Sequence, residues 1–322
     1  MKFKIITVAA VLFTATITFA QPNSDLRPDE TVLLYADSFE GNVDPVYGKE
    51  IIYGGFKTQE SNGLTGPETM PANGNLGNIS KLARIDLYFP KKPNGQMVVV
   101  CPGGGYSIVS SYNEGLYVAD WFLSKGISVC VVKYRLPNYN HSIPYADVAN
   151  AFRYCRSHSE EWGVNQIGVI GFSAGGHLAA TASNLWADAV TRPDFSILIY
   201  PVITLTSGIT HHGTHKKLLG EKKMLQEKYL DRYSLEKQVN RFTPPTFIAL
   251  CSDDATVPAE NSLMYYNKLI DVAVPVEMHI WPTGGHGWGF SSEKFKGKGK
   301  DIFAYARAEF EASLERWLEA LR

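Results

Sequence analysis

The run Gly171-Phe172-Ser173-Ala174-Gly175-Gly176 sets one hydroxyl among small residues, after an apolar stretch ending at Ile170 and before an alanine-rich one. A serine caught between a strand and a helix is pushed into exposure. Glycines on either side remove the Cβ atoms that would clash across so tight a bend. The helix start offers free N–H groups and the positive end of its dipole to an anion beside the serine. The chemistry implied is acyl transfer: Ser173 attacks a carbonyl and the N–H of Ala174 meets the oxyanion. The same run also suits an ordinary N-cap serine, so its companions decide.

A hydroxyl nucleophile needs a base, and the base needs orienting. In Gly284-Gly285-His286-Gly287-Trp288-Gly289 a histidine stands among glycines just past an apolar run, a poor place for a core residue. His286 is the expected base. Ser252-Asp253-Asp254-Ala255-Thr256-Val257-Pro258 follows another apolar run. Either carboxylate can reach the site, and only one can hold the imidazole tautomer. Pro102-Gly103-Gly104-Gly105-Tyr106 brings three glycines past a strand end, where Gly104 and Gly105 can aim N–H groups at the point Ala174 faces. No lysine follows them as a phosphate-binding loop would require. Tyr106, Trp281 and Trp288 lie near these loops and are candidates for stacking on a sugar face.

The other histidines read more plainly. His177 falls one turn into the serine's helix and should pack. His211, His212 and His215 have no acidic partners at ligand spacing, so no metal is expected. His141, His158 and His279 read as surface or strand positions. The chemistry requires no cofactor.

These loops need a frame. Residues 84–89 alternate like a half-exposed strand, and residues 97–100, 127–132, 166–170, 195–200, 247–251 and 276–281 are short apolar runs typical of strands buried on both faces. Helical spacing covers residues 114–124, 145–162, 174–186, 261–270 and 302–321. Strands alternating with helices imply a mostly parallel sheet in one α/β domain spanning residues 81–322. The three candidate side chains then all follow strands, at the edge where such sheets hold ligands. Residues 201–245 interrupt the alternation as a small cap or a solvated excursion, with a wet face at the charged stretch 222–228. Residues 21–80, rich in Pro, Gly and Asn, read as an N-terminal arm on the main domain, with short edge strands at 31–35 and 51–53.

A formal net charge of -1, from 31 Lys+Arg and 32 Asp+Glu, argues against nucleic-acid binding and a polybasic membrane surface. The aromatic content, 16 Phe, 17 Tyr and 6 Trp, argues against disorder. Residues 1–20 join a basic start, an apolar middle and a small-residue exit before Gln21, the make-up of a secretory signal. The expected product is exported to the periplasm or beyond, with no membrane anchor after cleavage. The four cysteines sit in apolar patterns and read as core thiols.

The order Ser173, Asp254, His286 is that of α/β-hydrolases, and from about residue 80 to 321 the chain resembles an esterase of that superfamily. Lys133-Tyr134-Arg135-Leu136, Pro144-Tyr145-Ala146-Asp147 and Val257-Pro258-Ala259-Glu260-Asn261-Ser262 are similar to stretches of its acetyl-xylan-esterase-like branch. That branch includes secreted bacterial enzymes that remove acetyl groups from plant polysaccharide. The resemblance implies an α/β-hydrolase fold, Asp254 as the acid because it stands just before the x-x-Val-Pro, and an acylated oligo- or polysaccharide as substrate. It departs from the hormone-sensitive-lipase relatives in carrying Pro102 where they carry His. A serine peptidase of the same fold would bring an extra propeller or an amine-binding acidic motif, and neither is visible. A catalytically silent carbohydrate-binding relative would have no need of all three side chains.

Overall fold

The computed structural model describes residues 25–35, 50–58, 60–206, 208–290 and 301–322. The expected signal at 1–20 lies outside them. Strands β1 (Glu30–Tyr35), β2 (Ile51–Phe56), β4 (Arg84–Tyr88), β5 (Gln96–Cys101), β7 (Ser128–Lys133), β8 (Gln166–Phe172), β9 (Ser196–Ile199), β10 (Thr246–Cys251) and β11 (Val276–Trp281) form one sheet. Its order is β11-β10-β9-β8-β5-β7-β4-β1-β2. A two-stranded ribbon pairs β3 (Asn75–Gly77) with β6 (Ile108–Ser110). In the large sheet only β4 runs against its neighbours.

The central strands β5, β7 and β10 are buried at every position, as continuous Val, Ile and Cys runs should be when helices cover both faces. Those helices are α1 (Tyr117–Ser124), α2 (Ser142–His158), α3 (Ala174–Asn184), α6 (Glu260–Asp271) and α7 (Ala304–Ala320). Phe247 of β10 packs on Trp317 of α7. Ser196 pairs with the preceding Thr246 and therefore faces the other way, where it meets Ser183 of α3 at 3.1 Å. Lys125 and Glu315 join α1 to α7 on the first face, and Asn184 and Tyr265 join α3 to α6 on the second. All four cysteines are free and buried.

Two expectations change. The arm is not merely laid over the domain: β1 inserts between β4 and β2 as an interior strand, with Val32 to Tyr35 buried, and of these two arm strands β2 alone lies at an edge. Consequently β4 is buried at all five positions rather than half-exposed. The polar residues of its alternation find partners supplied by the arm and by β7. Arg84 pairs with Glu68 at 2.6 Å, and Asp86 meets Lys133 at 2.5 Å and Thr31 at 3.1 Å. Such buried charges persist only when paired.

The insertion contains α4 (His212–Lys223), kinked at Gly220, α5 (Glu227–Tyr233) and a short turn at Leu235–Lys237. Thr214, His215, Leu218 and Leu219 turn inward, whereas α5 buries no residue. Among the described residues, no helix is long and apolar enough to cross a membrane.

Candidate active site

Strand β8 ends at Phe172, and Ser173 takes φ 53° and ψ -121° before α3 begins. A non-glycine residue there costs on the order of 1–3 kcal/mol and persists only where its surroundings enforce it. The enforcement is visible. Ser173 N–H donates to the carbonyl of Ile199, and its own carbonyl accepts the N–H groups of His177 and Val202. A Cβ on Gly175 would lie 2.1 Å from the carbonyl oxygen of Cys101, so only glycine lets the glycine loop press on the first turn of α3.

The three distant side chains meet. His286 Nε2 lies 2.8 Å from Ser173 Oγ, and His286 Nδ1 lies 2.6 Å from Asp254 Oδ2. Because the carboxylate can only accept, Nδ1 carries the proton and Nε2 presents its lone pair to the hydroxyl. The other oxygen of Asp254 accepts the N–H groups of Thr256 and Val257, both at 2.9 Å. This gives a physical reason for the Asp-x-x-Val spacing. Asp254 is buried, and the His286 side chain keeps 17% of its surface open. Its neighbour Asp253 points elsewhere and accepts Gly284 N–H at 3.2 Å and Gly285 N–H at 2.8 Å. The two carboxylates therefore divide the work: one holds the ring, the other holds the loop that carries it.

Gly104 and Gly105 adopt φ 124° and 62° beside the serine. Their N–H groups have no acceptor among the described residues, and Ala174, first in its helix, has no intrahelical acceptor. Gly103 N–H is occupied by Glu114 Oε2 at 2.8 Å. Loop 102–105 is pinned from behind by the Tyr134 hydroxyl, which donates to the carbonyl of Pro102.

The candidate stacking residues do not face the site. Trp288 is 1% exposed, stacked on Phe303 at 4.1 Å and edge-on to Tyr200. Tyr106 is 2% exposed, its hydroxyl directed to His177 Nδ1 at 3.2 Å. Trp281 is buried between Phe303 and Phe310. None has a free ring face for a sugar. Their size and position beside glycine loops suggested binding, but those loops need apolar anchors and these residues supply them.

His177 packs as expected. It is buried, its Nε2–H donates to the carbonyl of Tyr233 at 2.8 Å, and burial depresses its pKa to about 4. Three participants were not legible as such. Glu114 and Tyr200 join the glycine loop to the histidine loop. His211 caps α4 by accepting the Thr214 N–H, and a Cβ on Gly105 would lie 3.8 Å from its ring. Burial, then the proximity of His286, lowers the His211 pKa. Among the described residues no His, Cys, Asp and Glu cluster of three or more could hold a metal ion.

A nucleophile elbow, an oriented imidazole and free main-chain amides at the carboxyl edge of a parallel sheet define the class of hydrolases built around an activated serine. The chain belongs to a family of α/β-hydrolase fold, whose sequence model matches residues 98–290. It is 37% identical over 222 residues to an acetylxylan esterase of Xylanibacter ruminicola, covering 68% of this chain and 46% of that protein. It is 33% identical over 214 residues to endo-1,4-beta-xylanase B of Butyrivibrio fibrisolvens, covering 62% and 33% respectively. The chain thus spans half or less of the length of these curated relatives. Among solved structures, an acetyl ester-xyloside bifunctional hydrolase from Caldicellulosiruptor lactoaceticus superimposes with a TM-score of 0.64 at 34% identity, over 74% of this chain and 88% of that one.

Proposed function

We propose that this protein is an exported serine carboxylesterase that removes short acyl groups, acetyl foremost, from plant polysaccharide such as xylan. The observation that carries the reading is the continuous hydrogen-bonded path from Ser173 through His286 to Asp254, at 2.8 and 2.6 Å. The names of two relatives, an acetylxylan esterase and an acetyl ester-xyloside hydrolase, support the substrate class.

In this reading His286 Nε2 takes the Ser173 proton as Oγ attacks the ester carbonyl. The N–H groups of Ala174 and of Gly104 or Gly105 receive the oxyanion, each worth about 3 kcal/mol of barrier. Asp254 steadies the imidazolium. As the intermediate collapses and the bond to the sugar oxygen breaks, His286 gives its proton to that oxygen, which leaves as the sugar hydroxyl, and an acyl-serine remains. Water, deprotonated by the same nitrogen, releases the free acid and restores Ser173.

The purified chain should hydrolyse p-nitrophenyl acetate and release acetate from acetylated xylan while leaving peptide amides intact. Ser173→Ala should lower kcat by roughly 10⁴-fold or more without unfolding the protein. Undiminished hydrolysis by that variant would remove the assignment. Export is checked by fractionation and amino-terminal sequencing, with the exported product expected to begin at Gln21; protein found only inside the cell and retaining Met1 would sink it.

A further inference from the structure

We propose that Glu114 is a positioning residue for this reaction, setting the oxyanion loop and the histidine loop against Ser173 through Gly103 and Tyr200 without touching substrate. The inference rests on the esterase reading. Glu114 sits in the irregular turn Tyr112–Leu116 that precedes α1, with non-helical φ -114° and ψ 16°, and its side chain is turned into the core at 4% exposure. A carboxylate so deep is tolerated only when donors saturate it. Here they come from two elements. Gly103 N–H donates to Oε2 at 2.8 Å and the Tyr200 hydroxyl donates to Oε1 at 2.8 Å.

The direction of the Tyr200 bond is fixed by its other partner. Gly289 N–H donates to the same phenol oxygen at 2.9 Å, so the phenol proton must go to Glu114. One acceptor-only group thus ties Gly103, beside the free amides of Gly104 and Gly105, to Gly289, three residues beyond His286. The Tyr200 ring also lies 4.7 Å from the His286 ring and holds its flank. With Gly103 N–H occupied, the amides left for an oxyanion are those of the next two glycines. The loop has little room to shift, since a Cβ on Gly103 would lie 2.6 Å from the Phe172 carbonyl oxygen. Burial raises the Glu114 pKa, and the bonds from Tyr200 and Gly103, then the nearby His286, act the other way and favour the charged form. Neither a hydrophobic residue nor an amide could serve. The first leaves two donors unpaired, and the second turns an NH₂ group toward one of them.

The test uses the full chain and two readouts. Glu114→Gln should lower kcat for p-nitrophenyl acetate by about 10- to 100-fold, with KM within about twofold. The second readout is the affinity of an alkylboronic acid, to whose boron Ser173 Oγ adds while its proton passes to His286, giving a tetrahedral anion. That affinity should fall by the same factor as kcat. A residue that merely filled the core would shift thermal stability and leave both values alone. Tyr200→Phe keeps the ring and cuts the link, with a smaller fall in the same two values; it carries the test if the first variant does not fold. A folded variant with kcat and boronate affinity within twofold of wild type would overturn the proposal, as would a fall in kcat with boronate affinity unchanged. Wild type and Ser173→Ala run alongside. Absence of Ser173-dependent turnover would instead sink the esterase reading, while the boronate titration still reports on the loops.

Discussion

Helix α3 begins at the serine and helix α5 lies in the insertion, and the two are built in opposite ways. Every residue of α3 is buried, whereas α5 of the insertion buries none. Helix α3 starts from a strained residue that three backbone hydrogen bonds hold in place. The insertion is charged, kinked at Gly220, and exposes Leu225 at 82%. Proton transfer and oxyanion binding demand placement within a fraction of an ångström, which only packed, fully bonded elements provide. Helix α5 meets no such demand, and its surface is free to vary. The two halves are pinned together at His177, which donates to the carbonyl of Tyr233.

The largest break in this contrast comes from its rigid half. Asp254→Asn should cost about 10³- to 10⁴-fold in kcat, because the imidazole loses the partner that fixes its tautomer. Asp253→Asn should cost less than about tenfold, since loop amides rather than the ring depend on it. Equal losses in steady-state kinetics would show that the adjacent carboxylates do not divide the work.

Acid should loosen the pin between the halves. Burial holds His177 neutral in the folded state, at a pKa of about 4 against 6.5, and His141, packed on Tyr229 and Tyr233, is likewise lowered to about 4. The unfolded chain therefore binds protons first as pH falls. Stability is intact above pH 6.5, declines between 6.5 and 4, and is lost by roughly 3 kcal/mol per fully buried histidine. Denaturant titrations across that window should show the decline, and Ala substitution of His177 should flatten it. An unchanged slope would mean that His177 charges in place. Smallest of all, Lys222→Ala or Lys228→Ala on the exposed face should move stability by no more than about 0.5 kcal/mol. A larger shift in melting would show that face to be structural.

Much of this frame was legible because burial leaves a local imprint. Seven apolar or alternating runs became strands β4, β5 and β7 to β11. The interior parallel strands β5 and β7 to β10 are near-continuously hydrophobic because both faces are covered. Strand β11, at the sheet edge, is only partly buried and not covered on both faces as its run implied. Ser173 and His286 stood out because glycines at strand ends are seldom needed for packing alone. The arm was harder: β1 earns its interior place by pairing with β4, a long-range partner that no local pattern announces. The helix expected over 114–124 begins as regular α-helix only at Tyr117, because the residues before it form a wide turn at Tyr112–Leu116. No local pattern marks Glu114, because its partners lie 11 and 86 positions away. Trp288 and Tyr106 misled in the opposite sense, because an aromatic ring beside a site gives the same signal whether it faces the substrate or the core.

The most direct measurement is the mapping of a fluorophosphonate adduct by peptide mass spectrometry. An activated serine should take one phosphonyl group on Ser173, with loss of esterase activity in step with labelling, and His286→Ala should prevent both. Labelling at any other residue, or full activity in protein labelled at Ser173, would contradict the account.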